Sequence, residues 1–416
     1  MSLRPFIEMI QNVRSQLNLS PSDPAFVQDP YAAYAAIRSI APVFFWEDYG
    51  HWCCLDHDDV AALFRDRRFG RDVLHVATRA ELGWPEIPPH LAPFYAVEAH
   101  SLLELEPPVH TRLRGLVNRA FVSRSVEQLR PRIEKLAHEL IDGFEARGEV
   151  ELIAAFATPI PVVVIAELLG VPVDAAPDLL DWSHKMVAMY QFGRSRADED
   201  AAVAATEAFA SFLRDYIAAR RGRPADDLIS HLIAAEAAGE RLSTDELVST
   251  CILLLNAGHE ATVHAIGNGV AALLGAEGID RAAAFASPAA TAATVEELLR
   301  FDPPLHMFTR YALEDLDWRG IRFRTGDKVG LVIGAAGRDP RRFADPDRLD
   351  PARTPAQHAA FGGGIHFCLG APLARLELQV ALPVLLGRLP GLRLAAPPRY
   401  RDSYHFHGLE RLDLAW

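Results

Sequence analysis

The chain has 416 residues, of which half are hydrophobic, and 42 basic against 55 acidic residues give it a net charge of −13. The length allows a sizeable core, while the negative charge argues against a general nucleic-acid binder. Four cysteines, two of them adjacent at Cys53 and Cys54, do not suggest a disulfide framework. There is no apolar signal core and no membrane-length run of about 18 apolar residues, so we expect a cytoplasmic protein without a membrane span.

Small sheet-rich patches flank a long helical region. In chain order the sequence predicts a hairpin at 42–55, an irregular proline-rich flap at 74–100, helices from 110 to about 273, a sheet-rich patch at 309–333 and a meander at 338–355. No linker, low-complexity tract or internal repeat divides the chain. We therefore expect one mainly α domain with small β-sheets (α+β) over residues 1–416, with β-rich parts at about 42–70 and 309–355.

A long helix is predicted to begin after Ser243, because Ser243 and Glu246 have the spacing of a capping box. It extends to about Leu274, and its middle, residues 251–255, is apolar on every side and therefore buried. Residues 256–262, Asn-Ala-Gly-His-Glu-Ala-Thr, follow. A glycine here costs about 1 kcal/mol relative to alanine, and a buried glutamate costs more unless it is partnered. Such local conflicts often mark a functional site.

The same segment resembles a zinc-protease helix only superficially. His259 and His264 are five residues apart, whereas zinc-binding helices place two histidines four apart. Histidines at i and i+5 lie on different helix faces, which makes a shared metal ion geometrically poor. We do not expect these two histidines to bind one metal ion.

The most informative motif is Phe361-Gly-Gly-Gly-Ile-His-Phe-Cys368-Leu-Gly-Ala371, which precedes a helix predicted over 371–389. Glycines such as Gly362 and Gly370 allow a backbone to approach a flat ligand closely. The helix places Cys368 at its positive end, where the field favours a thiolate over a thiol. A thiolate held in this way suits an iron ligand better than a disulfide partner.

This motif resembles the haem-binding loop of the cytochrome P450 family, the haem-thiolate monooxygenases, and the resemblance covers nearly the whole chain. It implies a triangular helical domain in which the long central helix lies over haem b (iron protoporphyrin IX) and Cys368 ligates the iron. Phe361, Gly362 and Gly370 would then line the cofactor. The resemblance also implies that its propionates are held by His110, Arg114, Arg310 and His366.

In the resembled family the long helix carries Ala-Gly-x-(Asp/Glu)-Thr, which forms a groove for O2 and an acid–alcohol pair for proton delivery. Ala257, Gly258 and Glu260 match this pattern, but Ala261 stands where the alcohol belongs and Thr262 comes one residue later. Three readings stay open: a helix distortion that brings in Thr262 or water, a hydroxyl of the substrate, or poorly coupled oxygen activation. We favour water or the substrate.

The resemblance assigns structural and substrate residues as well. Glu297 and Arg300 match the family's Glu-x-x-Arg pair, which Arg353 would join to hold the cysteine loop. The pocket would be lined by the 74–100 flap, residues 186–192, Leu254, Ala257, Ala261, Leu305, Phe308 and Phe406, with Gln191, His306 and His407 as polar groups. These side chains favour a small to medium hydrophobic substrate with one polar group, and leave its identity and regioselectivity open.

The expected function is insertion of one oxygen atom from O2 into such a substrate, by hydroxylation or epoxidation. Electrons would come from NAD(P)H through a ferredoxin reductase and a ferredoxin (2Fe-2S or similar) that docks on a basic patch of Arg112, Arg119 and Arg124, although ordinary solvated arginines explain that patch equally well. The protein is expected to be a monomer. The alternatives are a peroxide-dependent haem enzyme and a non-catalytic haem-thiolate binder or sensor.

Overall fold

The computed structural model describes residues 19–123, 126–237, 240–354 and 357–416. The helices are α1 Pro24–Gln28, α2 Tyr31–Ile40, α3 His57–Leu63, α4 Ala92–Glu98, α5 Val109–Ser123, α6 Arg130–Asp142, α7 Pro159–Leu169, α8 Ala176–Val187, α9 Arg196–Gly222, α10 Leu228–Ala234, α11 Thr244–Gly275, α12 Arg281–Ala284, α13 Pro288–Phe301, α14 Ile333–Gly337 and α15 Ala371–Arg388. The strands are β1 Val43–Trp46, β2 His51–Cys54, β3 Phe69–Gly70, β4 Glu149–Glu151, β5 Glu236–Ala237, β6 Glu240–Arg241, β7 Met307–Ala312, β8 Leu316–Trp318, β9 Ile321–Phe323, β10 Lys328–Val332, β11 Arg393–Leu394, β12 Arg399–Tyr400, β13 Leu409–Arg411 and β14 Asp413–Ala415. The predicted class, mainly α with small sheets, is confirmed.

The predicted long helix is α11, and it begins as its sequence indicates. The Ser243 hydroxyl accepts a hydrogen bond from the backbone N–H of Glu246, and the Glu246 carboxylate accepts one from the Ser243 N–H. The helix continues without interruption through Gly258 to Gly275. It packs against α7, α9, α13 and α15, which explains why its sides are apolar along most of its length.

The largest sheet has the strand order β1-β2-β10-β7-β3. Its first two strands form the predicted hairpin, with Val43 opposite Cys54 and Trp46 opposite His51. Strand β10 runs parallel to β2 and antiparallel to β7, so residues distant in sequence lie side by side. At the start of β7, Met307 and Phe308 thus lie opposite Val332 and Leu331 of β10.

Two predictions about secondary structure are wrong. The flap at 74–100 contains a regular helix, α4, whose Pro93 lies in the first turn, where a missing N–H costs no hydrogen bond. The β-rich parts also extend beyond the expected ranges, because β4 pairs with β14 and β14 with β11. Within 333–355, by contrast, the described residues form α14 and irregular structure rather than strands.

The largest hydrophobic cluster lies between the helices and contains most of the buried face of α11. Smaller clusters cover the two faces of the five-stranded sheet. Cys53 and Cys54 are fully buried free thiols in those clusters. Among the described helices, none combines the length and the hydropathy needed to cross a membrane.

Candidate functional site

The loop before α15 holds its shape by glycine conformations that other residues rarely adopt. Gly362 and Gly364 have φ angles of 68° and 67°. A Cβ on Gly364 would lie 2.1 Å from the backbone oxygen of Phe64, and one on Gly363 would lie 3.0 Å from the Phe64 Cβ. The glycines therefore let the loop pack closely on the end of α3, which the sequence alone did not indicate.

Cys368 follows this loop, and its backbone N–H donates to the Phe361 carbonyl at 3.0 Å. Burial raises the pKa of the Cys368 thiol, while the N–H groups of Gly370 and Ala371 and the Arg114 and Arg375 guanidiniums act in the opposite direction. The N–H groups at the start of α15 thus act in the expected direction, whereas burial opposes the thiolate. A coordinated metal ion supplies the further positive charge that deprotonates such a thiol.

The four predicted propionate ligands gather around this loop. The His110 and His366 rings have centroids 4.5 Å apart. The Arg114 Nη2 atom donates to the Phe367 carbonyl at 2.8 Å. Arg310 is buried over the Phe64 ring, and burial lowers the pKa of its guanidinium to about 10.

Two acidic residues that sequence reasoning missed lie in the same region. The Glu106 carboxylate accepts the Arg71 backbone N–H at 2.6 Å and lies 3.3 Å from the His366 Nε2 atom. Glu104 pairs with the Arg71 side chain. Their signal in the sequence was the Glu-Leu-Glu run just before Pro107, which carries no spacing rule that would have identified them.

The donors fit a flat dicarboxylate such as haem. His110 is 2 % exposed, and its Nε2 atom has no hydrogen-bond partner among the described residues, so it can donate to a bound acceptor. Buried cations such as Arg310 are stabilised by an anionic partner. Cys368 provides a sulfur ligand beside these donors, as haem-thiolate chemistry requires.

One face of α11 is open in the middle of this otherwise buried helix. Ala257 is exposed and Ala261, one turn later, is partly exposed. The missing side chain of Gly258 faces elsewhere, since a Cβ there would lie 2.9 Å from Cγ1 of Ile165 on α7. The small residues at 257 and 261 therefore leave space beside the helix, whereas Gly258 permits close helix packing. The expectation that Gly258 itself lines the groove is not supported by this contact.

Glu260 is buried among three histidines and an arginine. Its Oε1 atom lies 3.2 Å from the His264 Nε2 atom and 3.1 Å from the Arg401 Nη1 atom. Its Oε2 atom lies 3.1 Å from the His184 Nε2 atom and 3.6 Å from the His259 Nε2 atom. Burial works to raise the pKa of Glu260, but His184 and His264 hold it well below its usual value. Glu260 is therefore a carboxylate at neutral pH.

Thr262 points to a different neighbour, as a helix rotation of about 100° per residue requires. Burial raises the pKa of the Glu377 carboxyl on α15 to about 8. The nearby Thr262 hydroxyl lowers this pKa by a smaller amount. Both Glu377 oxygens lack a well-formed hydrogen bond within the described part of the chain. Glu377 thus holds a proton at neutral pH, which could not be predicted from the sequence because residues 371–388 have the pattern of an ordinary helix.

Glu297, Arg300 and Arg353 come together as a buried group. Arg300 donates twice to the Glu297 carboxylate, at 2.7 and 2.8 Å, and Arg353 Nε lies 3.1 Å from both of its oxygens. Arg300 also donates to the carbonyls of Gly337 and Pro346. The group therefore ties α13 to the meander that leads into the cysteine loop.

The predicted pocket residues divide into two groups. Leu305 and Phe406 form an isolated β-bridge and, like Phe308, are partly exposed, while Leu254 is 7 % exposed on α11. His306 and His407 were expected as polar groups of the pocket, and that expectation is wrong: both are buried against Asp302. Gln191 is exposed and stands next to the exposed Phe192.

One of the three arginines of the expected basic patch is paired with an acidic residue. Arg112 pairs with Glu246 at the start of α11, which neutralises part of its charge. Arg119 is exposed on α5, and Arg124 lies outside the described residues.

Comparison with known proteins places the chain in a family. Residues 289–390 match the model of the cytochrome P450 family. The chain is 39% identical over 407 residues to cytochrome P450 107B1 of Saccharopolyspora erythraea, covering 94% of this chain and 96% of the relative. It is 41% identical over 372 residues to the mycinamicin IV hydroxylase/epoxidase of Micromonospora griseorubida, with 88% and 89% covered.

Solved structures agree with these relatives. P450BioI, crystallised in complex with an acyl carrier protein carrying hexadec-9Z-enoic acid, has a TM-score of 0.88 and 34% identity, covering 95% of this chain and 100% of that one. The cytochrome P450 PksS of Bacillus subtilis 168 has a TM-score of 0.85 and 35% identity, covering 95% and 99%. The chain belongs to the cytochrome P450 family and is a haem-thiolate monooxygenase.

Proposed function

We propose that this monooxygenase hydroxylates or epoxidises a small to medium hydrophobic molecule that carries one polar group, with electrons from NAD(P)H delivered through a ferredoxin reductase and a ferredoxin. We further propose that the whole chain acts as one domain and as a monomer. The observation that carries the proposal is the convergence of His110, Arg114, Arg310 and His366 near Cys368, together with the small, accessible residues Ala257 and Ala261 on α11.

In this proposal the chain's own residues hold the cofactor in one orientation. Cys368 provides the thiolate, and His110, Arg114, Arg310 and His366 neutralise the two propionates. The haem, when bound, supplies the activation of O2 and the oxidation of a C–H or C=C bond. The pairing of Glu297 with Arg300 and Arg353 fixes the meander, so the cysteine loop keeps its position below the cofactor.

Proton delivery is assigned to the Glu260 cluster. Because Glu260 is held as a carboxylate, it does not store a proton but relays one that reaches it from solvent along the side of His184, whose side chain is 44% exposed. The hydroxyl of Thr262 is turned towards Glu377. We therefore propose that water, or a hydroxyl of the substrate, occupies the position next to Ala261 and completes the relay.

The substrate is proposed to lie beside Ala257 and Ala261, enclosed by Leu254, Leu305, Phe308 and Phe406. This lining is apolar, which favours a hydrophobic ligand. Relatives act on different molecules, including a mycinamicin and vitamin D(3) by their names, so the family does not select one substrate. A library screen for the low-spin to high-spin shift of the haem identifies compounds that displace water from the iron.

The electron donor is proposed to dock on the cysteine side of the molecule. Arg119 is exposed on α5, the helix whose first turns carry His110 and Arg114. An acidic ferredoxin would be attracted to such a cation despite the negative net charge of the chain. Replacing Arg119 with glutamine should slow the first electron transfer, measured by stopped-flow reduction under carbon monoxide.

The thiolate assignment is tested by spectroscopy. The reduced protein under carbon monoxide should show the red-shifted Soret band of a thiolate-bound haem, and Cys368→Ala should abolish it. Cys54→Ala serves as the matched control, because Cys54 is a buried thiol of the sheet. A normal band in Cys368→Ala would refute the proposal.

A further inference from the structure

His184, His259 and Glu260 bring three potential metal-ligand atoms together beside α11. The His184 Nε2, His259 Nε2 and Glu260 Oε2 atoms all lie within 4.8 Å of one another. The two histidines come from different helices: His184 belongs to the last turn of α8, and His259 to the middle of α11. Two imidazoles and one carboxylate are a ligand set that zinc binds in proteins.

The ring orientation of His259 favours a metal ligand. Its Nδ1 atom lies 2.7 Å from the Leu255 carbonyl and donates to it, so the Nε2 atom carries the lone pair. That Nε2 atom is buried and has no hydrogen-bond partner among the described residues. In metal-bound histidines, the ring nitrogen that does not bind the metal usually donates its N–H to a carbonyl, a carboxylate or water.

Glu260 is also prepared to offer one oxygen. His264 and Arg401 hold its Oε1 atom, which leaves the Oε2 atom facing the two histidines. The His184 side chain is 44% exposed, so an ion can reach the group from solvent. The other three-ligand group in the described residues, Asp302, His306 and His407, is fully buried, and tyrosine hydroxyls occupy both Asp302 oxygens.

We propose that a divalent cation of the zinc type binds between His184 Nε2, His259 Nε2 and Glu260 Oε2, with water completing its coordination. The bound ion coordinates Glu260 Oε2, the oxygen that faces His184. Protons from solvent can then no longer reach this oxygen. This second statement rests on the proposed role of Glu260, whereas the binding itself does not. Zinc in this position acts as an inhibitor of turnover.

The site is tested on the haem-loaded protein by titration with Zn²⁺, followed by calorimetry and by metal analysis after desalting. We expect one tightly bound equivalent, weakened about tenfold or more in His184→Gln and in Glu260→Gln, because each removes one of three ligands. His184 is half exposed, so its replacement leaves the core intact. The control is His231→Gln. His231 lies on α10, pairs with Asp226 and is not one of the three ligands, so this variant should bind Zn²⁺ as the wild type does.

Unchanged Zn²⁺ binding in both His184→Gln and Glu260→Gln, or no equivalent bound by the wild type, would overturn the site. The link to catalysis has a separate readout, the rate of product formation with and without Zn²⁺ in the wild type and in His184→Gln. Inhibition in the wild type that is relieved in His184→Gln supports the link. Binding without inhibition would leave the metal site standing and overturn the role of Glu260 in proton relay.

Discussion

At the scale of single residues, the position after the acid on α11 determines how protons reach bound oxygen. Ala261 is partly exposed on the open face of the helix, whereas Thr262 is buried towards Glu377. A hydroxyl at position 261 would therefore project into the space where water or substrate is proposed to act. A hydroxyl at position 262 does not reach that space without rotation of the helix.

We predict that Ala261→Thr changes the fraction of NAD(P)H consumption that ends in product. If water completes the relay, the new hydroxyl replaces it and coupling rises; if the substrate's own hydroxyl completes it, the added methyl group displaces the substrate and coupling falls. Product and NAD(P)H are measured together. Val263→Thr, a change at a buried position of the same helix, controls for altered helix packing. Equal coupling in Ala261→Thr and wild type would show that the missing alcohol is irrelevant.

Glu377 gives a second prediction, on stability. Burial raises its pKa to about 8, from 4.5 in the unfolded chain, so the folded protein binds the proton more tightly. The free energy of unfolding must then fall as pH rises from about 4.5 to 8. In this range Glu377 loses its proton in the unfolded chain but keeps it in the folded protein, so the unfolded state is stabilised. Glu377→Gln removes this penalty.

The stability difference between Glu377→Gln and wild type should move in favour of the variant by about 2 kcal/mol between pH 6 and pH 8, at 1.36 kcal/mol per pKa unit. Thermal or urea unfolding of the haem-loaded proteins at both pH values measures it. Glu410→Gln, at an exposed position, should show no such trend. A pH-independent difference would mean that Glu377 is ionised in the folded protein.

At the scale of elements, the loop before α15 depends on close contact with α3. Gly364 has a φ of 67°, and a Cβ there would lie 2.1 Å from the Phe64 oxygen. Gly387, near the end of α15, has no heavy atom within 4 Å of the position of an added Cβ. Position 364 therefore has no room for a side chain, whereas position 387 has room for one. The sequence alone does not distinguish these two glycines.

We predict that Gly364→Ala lowers stability by about 2 kcal/mol or more, since a left-handed conformation alone costs about 1–2 kcal/mol and the backbone clash adds to it. It should also reduce haem content, because the loop carries Cys368. Gly387→Ala should raise stability by up to about 1 kcal/mol, since alanine favours a helix. Unfolding temperature and haem absorbance per chain report both. Equal stability of the two variants would contradict the assigned contact.

The elements that could be predicted from the sequence are those with local signals. The capping box at Ser243 and Glu246 correctly located the start of α11, and the helix predicted after the glycine motif is α15. The helix at Ala92–Glu98 was missed because its proline suggested irregular structure, although proline is tolerated in a first turn. The partners of Glu260 could not be predicted, since His184 and Arg401 are brought to it only by the packing of distant segments.

At the scale of the whole molecule, a buried polar network joins the beginning and the end of the described chain. Tyr31 of α2 and Tyr400 of β12 each donate to the Asp302 carboxylate at 2.5 Å. The His407 Nε2 atom lies 3.3 Å from the same carboxylate, and the His306 Nε2 atom lies 3.9 Å away. Asp302 follows α13, so one carboxylate connects an early helix, a central helix and the C-terminal strands.

We predict that Asp302→Asn lowers stability at pH 7 by about 1.5–3 kcal/mol, the worth of hydrogen bonds to a charged group. Burial works to raise the pKa of Asp302, but His407 and His306 hold it below its ordinary value. A carboxyl with a lowered folded pKa stabilises the protein above its unfolded pKa of about 3.9 and loses that contribution as pH falls below it. The stability deficit of Asp302→Asn should therefore shrink below pH 4.

Urea unfolding at pH 7 and in this acid range measures both effects. Asp174→Asn, at an exposed position, should match wild type at each pH. A deficit that stays constant into acid would show that the network is held by shape and neutral hydrogen bonds rather than by the charge on Asp302.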